Sequence, residues 1–183
     1  MSSALILIDI QNDYFPGGKM ELSGSSEAGE RAREVLSFHR EKKIPVIHIR
    51  HLSLRPGATF FLPGTPGSEI HQCVAPLSGE AVVEKHFPNS FRETELGGIL
   101  EKSGIKKLIV CGMMTHMCVD ATIRAAFDAG YACTLVHDAC ATRDLSFGKT
   151  TVPAAHVHAA FLSALAGTYA NVVGARELIA NWA

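Results

Sequence analysis

Residues 108–128 are LIVCGMMTHMCVDATIRAAFD, and this stretch decides how the chain is expected to fold. The first four residues are apolar and stop at Gly112, which is typical of a short buried strand followed by a turn. After the turn residues 112–118, apolar side chains recur at the spacing of one helical face: Val119, Ile123, Ala126 and Phe127. The stretch is therefore predicted to form a strand, a tight turn and a helix.

This order of elements places Cys118 near the N-terminus of a helix. Unpaired backbone N–H groups and the positive end of the helix dipole favour a thiolate at such a position. The same N–H groups can stabilise an oxyanion. Cys118 is the candidate nucleophile, and the alternative is that it is one more small buried residue, since free cysteines are often interior.

Further apolar runs of strand length alternate with helical patterns along the chain. The predicted strands are residues 5–8, 45–49, 81–84, 131–136 and 170–173; the predicted helices are residues 25–41, 93–102, 150–166 and 175–181; residues 137–148 are a predicted loop. Continuous apolar runs suit strands that are buried on both faces. The alternation predicts an α/β fold in three layers, with one parallel sheet between helices. The length of 183 residues fits one domain, residues 1–183.

Composition excludes several classes of partner. The formal net charge is −1, and no stretch is a run of like charge, so neither nucleic acid nor an anionic membrane is expected to bind. The N-terminal apolar run reaches Asp9 within a few residues and has no basic lead, so neither a signal peptide nor a membrane span is expected. Five cysteines without a CxxC pair argue against a disulfide framework and favour the cytoplasm.

Residues 50–76 have several Pro and Gly residues and little periodicity. A loop of this length in a compact domain is more often a lid or a binding element than an idle connection. Together with residues near the strand ends, it supplies the candidate substrate-binding residues, which are Gln11, Phe15, Phe60, Phe87 and His116. For each of them, a structural role in the loops or over the core is the competing interpretation.

Asp9, Lys85 and Cys118 each close an apparent strand or follow one by a single turn. Ligands of open α/β sheets bind at the carboxyl ends of the strands. A carboxylate, an ammonium and a thiol at that edge suit acyl transfer through a thioester. Asp9 would accept the thiol proton, Lys85 would stabilise the anionic forms, and backbone N–H groups would hold the oxyanion.

Four stretches resemble the isochorismatase-like cysteine hydrolases: LILIDIQNDYF with Asp9, EKHFPNSF with Lys85, CGMMTHMCVDATIRAAFDAGY with Cys118, and VHDACATRD. The resemblance runs from one end of the chain to the other. It implies a Rossmann-like, six-stranded, mostly parallel sheet and a triad of Asp9, Lys85 and Cys118. It also implies a cis peptide bond between Met113 and Met114, which would direct the N–H groups of Met114 and Cys118 into an oxyanion hole.

Two departures from the family's patterns narrow the expected function. Where nicotinamidases have an Asp-Trp-His metal site, this chain has His51-Leu52-Ser53, so only His71 could match the third ligand and no metal is expected. Isochorismatase itself lacks the cysteine, so Cys118 favours cleavage of a small amide or ureido compound, without a cofactor. The alternatives are vinyl-ether or ester hydrolysis and a non-catalytic oligomeric binding protein. A homo-oligomer, a dimer or tetramer, is also expected.

Overall fold

A six-stranded parallel sheet forms the centre of the molecule in the computed structural model, which describes residues 2–182. The strands in chain order are β1 Ser3–Ile8, β2 Val46–His51, β3 Ala81–Lys85, β4 Lys107–Met113, β5 Ala132–Ala141, β6 Leu145–Phe147, β7 Thr150–Val152 and β8 Asn171–Val173. The helices are α1 Ser25–Glu41, α2 Leu96–Lys102, α3 Asp120–Asp128, α4 Ala154–Leu165 and α5 Ala175–Ala180.

The strand order across the sheet is β3-β2-β1-β4-β5-β8, and every neighbouring pair is parallel. Helices flank the sheet, with α1 against β5 and α5, and α3 against α4. The central strand β1 is buried along almost its whole length, as expected for an apolar run that helices cover on both faces. The predicted α/β fold and its six-stranded sheet are confirmed.

Gly112 allows β1 and β4 to lie close together where both strands end. Its φ is +136°, and a Cβ atom built on it would be 2.0 Å from the carbonyl oxygen of Ile8. Any side chain at this position would push the two strands apart. The pairing of β4 with β5 is irregular between Val110 and Gly112, so the glycine stands where the sheet changes register.

The chain between β5 and α4 differs from the prediction. β5 continues to Ala141, because Cys140 and Ala141 pair with Gly112 and Met113 beyond the irregularity. Residues 150–152, predicted as the first turn of a helix, instead pair with β6 in an antiparallel hairpin. Two helices also begin later than predicted, α2 at Leu96 and α4 at Ala154.

Hydrogen bonds from the segment after β1 fix the long loop between β2 and β3. The buried carboxylate of Asp13 accepts the backbone N–H of Phe61 at 2.7 Å. The buried amide of Gln11 donates to the carbonyl oxygens of His51 and Ser68 and accepts the N–H of His51 at 2.7 Å. A Cβ atom at Gly67 would lie 2.2 Å from Asp13 Oδ1, so this glycine permits the close contact. The loop is an ordered part of the structure.

Glu80, just before β3, joins three parts of the fold. Its carboxylate accepts two hydrogen bonds of 2.7 Å from Arg40 of α1. It also accepts one of 2.8 Å from the backbone N–H of Leu77, and it lies 3.0 Å from Nε2 of the buried His48 of β2. The hydrogen bonds from Arg40 are the main cause that lowers the pKa of Glu80 to about 2 from the ordinary 4.5.

No helix among residues 2–182 combines the length and the apolar character that crossing a bilayer requires.

Asp13→Ala is predicted to loosen the loop, because the buried N–H of Phe61 loses its acceptor. Hydrogen exchange should show the amide of Phe61 losing protection, and chymotrypsin should cut after Phe60 or Phe61 faster than in the wild type. Asp128→Ala, which removes an exposed carboxylate from the end of α3, is the matched control. Unchanged protection at Phe61 in Asp13→Ala would contradict this account of the loop.

Glu80→Gln is predicted to lower the free energy of unfolding at pH 7 by about 1–3 kcal/mol, since hydrogen bonds to charged groups are lost. A carboxylate whose folded pKa is depressed stabilises the fold fully above its unfolded value of 4.5, and this contribution is lost as the pH falls toward 2. Urea unfolding at several pH values should therefore show the wild type and variant converging in acid. Glu84→Gln, at a more exposed ion pair, should change stability by at most about 1 kcal/mol.

Candidate functional site

Asp9 and Cys118 lie at the centre of the sheet's carboxyl edge. Asp9 directly follows β1, and Cys118 lies in the turn after β4, the neighbour of β1. Across the sheet, β2 and β3 follow β1 on one side, and the chain then crosses so that β4 lies on the other side of β1. The two residues therefore flank the point where the strand order reverses, which is where open α/β sheets bind ligands.

Lys85 ends β3 and reaches the same edge from two strands away. Its Nζ lies 2.8 Å from Oδ2 of Asp9, and both side chains are fully buried. The ammonium also donates to the carbonyl oxygens of Phe87 at 3.2 Å and Pro88 at 3.0 Å. These two hydrogen bonds and the ion pair with Asp9 hold the ammonium in place. Burial alone would lower the pKa of Lys85, but the charges of Asp9 and the Cys118 sulfur outweigh burial and raise it.

The Sγ of Cys118 is within 4.8 Å of a carboxylate oxygen of Asp9. The structure thus brings the three predicted catalytic residues together. The helix end was expected to favour a thiolate at Cys118, but burial first, and the negative charge of Asp9 second, raise the pKa of Cys118 well above its usual range, and the positive charge of Lys85 does not offset them. The dipole at a helix end stabilises a charged group by about 0.3–1 kcal/mol, which corresponds to less than one pKa unit. Full burial shifts a pKa by up to about 3–5 units.

The turn that contains Cys118 is a single π-helical turn, Thr115–Val119, which leads directly into α3. The hydroxyl of Thr115 donates to the carbonyl oxygen of Ala141 and is 2.9 Å from Nδ1 of His158 in α4. Contacts with β5 and α4 therefore fix the turn. The peptide bond between Met113 and Met114, which precedes it, is cis.

Cys118 opens into a cavity of about 170 Å³. This volume is below the range of roughly 300–1,000 Å³ that is usual for drug-sized ligands, so the cavity suits a smaller molecule. Its wall is mostly apolar and aromatic, with a few polar groups. The lining residues are Tyr14, His51, Ser53, Leu54, Arg55, Phe60, Phe61, His86, Pro88, Met114, Met117 and Cys118.

Of the five candidate substrate-binding residues, only Phe60 lines this cavity. Gln11 is fully buried and bonds to the backbone of the loop. Phe15 stacks on His71 with ring centroids 3.6 Å apart, and the ring of Phe87 lies under the guanidinium of Arg92. His116 Nδ1 is 2.6 Å from the hydroxyl of Thr142, just after β5. These four residues support the loops and turns that surround the cavity.

Sequence reasoning missed most of the polar lining. His51 ends β2, Ser53 and Arg55 begin the long loop, and His86 follows Lys85. The signal that could have identified them was the length of the loop, several residues of which line the cavity. The aromatic residues were a weaker signal of the cavity lining. The directions in which their side chains point depend on hydrogen bonds between residues far apart in sequence.

One group of side chains has a geometry that could hold a metal ion. The ligand atoms of Asp9, His51 and Cys118 all lie within 4.8 Å of one another. The ammonium of Lys85, 2.8 Å from Asp9, would repel a cation there. His71, the expected match to the third ligand of the nicotinamidase metal site, is instead stacked on Phe15, with Nδ1 3.0 Å from the Cys73 sulfur.

Comparison with known proteins agrees with this architecture. Residues 3–177 match the family model of the isochorismatase domain. The uncharacterized isochorismatase family protein YddQ of Bacillus subtilis is 52% identical over 172 residues, which are 94% of this chain and 96% of that protein. The crystal structure of an isochorismatase hydrolase family protein from Oleispira antarctica superposes with a TM-score of 0.95 at 54% identity, over 98% of this chain and 97% of the other.

A relative with a named activity is nicotinamidase 3 of Arabidopsis thaliana, which is 30% identical over 162 residues, 82% of this chain and 78% of that protein. The match of the family model to nearly the whole chain, the fold and these relatives together show that the chain belongs to the isochorismatase family of hydrolases.

Proposed function

We propose that this hydrolase cleaves a C–N bond of a small amide or ureido compound through a thioester on Cys118. One observation supports the proposal above all others. A buried carboxylate is paired at 2.8 Å with a buried ammonium and lies within 4.8 Å of a thiol in a cavity wall. The relative named nicotinamidase has an amide-cleaving activity in its name, which agrees with this chemistry.

In the first step, the sulfur of Cys118 attacks the carbonyl carbon of the substrate while its proton passes to Asp9. Neither carboxylate oxygen of Asp9 has a hydrogen-bond donor within residues 2–182, so the carboxylate is available as the acceptor. The backbone N–H groups of Met114 and Cys118 stabilise the oxyanion that forms. Lys85 keeps its proton and offsets the negative charge as that charge moves away from Asp9.

In the second step, the C–N bond breaks and Asp9 returns the proton to the leaving nitrogen. A water molecule then gives a proton to Asp9 while its oxygen attacks the thioester carbon. The C–S bond breaks, and the sulfur regains its proton from Asp9. The products are an acid and ammonia or an amine, the site returns to its starting state, and no cofactor takes part.

The strongest alternative within this family is hydrolysis of a vinyl ether or an ester, with Asp9 as the acid and Cys118 as a bystander. A non-catalytic binding role is a weaker alternative, because the relatives are hydrolases and the ion pair and thiol are all present. The two catalytic hypotheses differ in one measurable respect: only the thioester route needs the sulfur.

Cys118→Ala and Asp9→Asn are predicted to lower kcat for ammonia release by about 10³-fold or more, because each removes a group that acts in both steps. A coupled ammonia assay over a panel of small carboxamides and ureido acids measures this. Cys73→Ala removes a thiol outside the cavity and should keep full activity. Full turnover of an ester or a vinyl ether by Cys118→Ala, without ammonia release from any amide, would instead support the vinyl-ether or ester route.

We also propose that the protein is a homo-oligomer in the cytoplasm. Phe147, at the tip of the β6–β7 hairpin, is 90% exposed, and an isolated two-stranded hairpin is at best marginally stable in water. A second copy that covers the hairpin would bury this aromatic ring. The five cysteines are all unpaired, which suits a reducing compartment.

Phe147→Asp is predicted to shift the protein toward the monomer, because a charge replaces the apolar side chain that the contact would bury. Light scattering coupled to size-exclusion chromatography measures the mass of both forms. Leu77→Asp, at another exposed apolar residue, is the control and should leave the mass unchanged. A monomeric wild type at high concentration would contradict the proposal.

A further inference from the structure

The imidazole of His51 lies beside the three catalytic residues without a hydrogen bond of its own. His51 is the last residue of β2, which neighbours β1 in the sheet. Its largely buried ring lines the cavity. Within residues 2–182 the ring makes no hydrogen bond, since Nδ1 is 3.9 Å from Oδ2 of Asp9, which is too long for a direct one. The ring therefore has hydrogen-bonding capacity that can serve a bound molecule.

The backbone of His51 has a fixed position at this edge of the sheet. Its N–H donates to Oε1 of Gln11 at 2.7 Å, and its carbonyl oxygen accepts from Nε2 of the same amide at 2.9 Å. Within the sheet, His51 is paired with Lys85 at the end of β3. The ring of Phe61 lies next to the imidazole, with centroids 5.9 Å apart. These contacts place the imidazole without using its nitrogen atoms.

Three polar atoms surround one point next to the cavity wall. A ring nitrogen of His51, a carboxylate oxygen of Asp9 and Sγ of Cys118 all lie within 4.8 Å of one another. Atoms with this spacing can all be within hydrogen-bonding distance of one shared oxygen atom. The ammonium of Lys85 disfavours a cation at this point, whereas it does not repel a neutral water molecule. The spacing therefore suits a water molecule that bridges the acid and the imidazole beside the sulfur.

The imidazole and the carboxylate can both accept a hydrogen bond from water. Burial is the main cause that lowers the pKa of His51, and the positive charge of Lys85 lowers it further, against the opposing effect of Asp9. The ring is thus neutral at pH 7, and one of its nitrogens is an acceptor. The carboxylate oxygens of Asp9 accept no hydrogen bond within residues 2–182. The two acceptors match the two O–H groups of one water molecule.

We infer that His51 is a further catalytic residue, whose imidazole holds the water molecule that hydrolyses the acyl group on Cys118. This inference rests on the proposed thioester route. One O–H group of the water donates to Asp9 and transfers its proton there as the oxygen attacks the carbonyl carbon. The other O–H group donates to His51 and stays on the oxygen. The C–S bond then breaks, the sulfur takes the proton from Asp9, and the product leaves as an acid.

The lifetime of an acyl group on Cys118 tests the inference. p-Nitrophenyl acetate transfers its acetyl group to a thiol and releases coloured nitrophenolate, so the colour reports acetylation and peptide mapping reports the adduct at Cys118. His51→Phe keeps a ring but removes both nitrogens. Its acetyl group should persist at least about tenfold longer than in the wild type, because a misplaced nucleophile reacts slowly. The rate of acetylation should change less than about twofold, since the first step uses no water.

Two further variants separate the contact with water from a general loss of packing. His51→Asn keeps a side-chain acceptor in a smaller side chain, so its acetyl group should last about threefold longer than in the wild type and less long than in His51→Phe. His156→Phe makes the same change at an exposed histidine of α4 and should match the wild type. Thermal unfolding identifies the folded variants, and His51→Asn is the test if His51→Phe does not fold.

An added nucleophile supplies a second readout. Hydroxylamine attacks thioesters more strongly than water does and does not depend on a water molecule held by His51. It should therefore remove the acetyl group from the wild type and both His51 variants at rates within about twofold of one another. If hydroxylamine also acts at least about tenfold more slowly on the variants, the acyl group itself is misplaced, and the inference is overturned.

The outcomes distinguish the inference from the proposed function. Equal adduct lifetimes in the wild type and every folded His51 variant would overturn the inference, as would an equal slowing of acetylation and release, and ammonia release from an amide would leave the amidase proposal intact. A lifetime that depends on His51, without ammonia release from any amide, would keep the inference and remove the amide substrate. Absence of acetyl transfer to Cys118, together with absence of ammonia release, would overturn both.

Discussion

The ion pair between Asp9 and Lys85 is the interaction on which the site depends. Removing two charges from water costs several kcal/mol for each ion, and only close contact with further hydrogen bonds offsets this cost. Lys85 meets the condition, since its ammonium contacts Asp9 at 2.8 Å and two backbone carbonyl oxygens. Asp9 does not fully meet it, because neither of its carboxylate oxygens accepts a hydrogen bond within residues 2–182. The carboxylate thus has one charged partner, and its oxygens remain free for a further contact.

The positions of these charges follow from a sheet that the sequence predicted well. Apolar runs that end in Asp9 and Lys85, and the run before Gly112, are strong local signals, and parallel strands place their carboxyl ends at one edge. The close approach of β1 and β4 needs a glycine at position 112, where a side chain would meet Ile8. Local pattern and long-range geometry agree here, so the meeting of Asp9, Lys85 and Cys118 at one edge could be predicted from the sequence.

Features that depend on contacts between distant residues could not be predicted in this way. Residues 150–152 have the pattern of a helix start but pair with β6. The loop's shape depends on the bond from Phe61 to Asp13, 48 residues away, so the sequence did not show which aromatic rings would face the cavity. The pKa of Cys118 depends on distant contacts for a related reason: the helix end is visible in the sequence, whereas the burial that raises the pKa is a property of the whole fold.

A buried thiol beside an ion pair determines when negative charge can appear at this edge of the sheet. Burial and the negative charge of Asp9 raise the pKa of Cys118, so in the proposed reaction the sulfur is expected to lose its proton as it attacks the substrate. Two backbone carbonyl oxygens hold the ammonium of Lys85 in place, and this ammonium lies 2.8 Å from Asp9. Negative charge then develops beside a fixed cation only when the reaction begins, and such a cation stabilises the transition state more than the bound substrate.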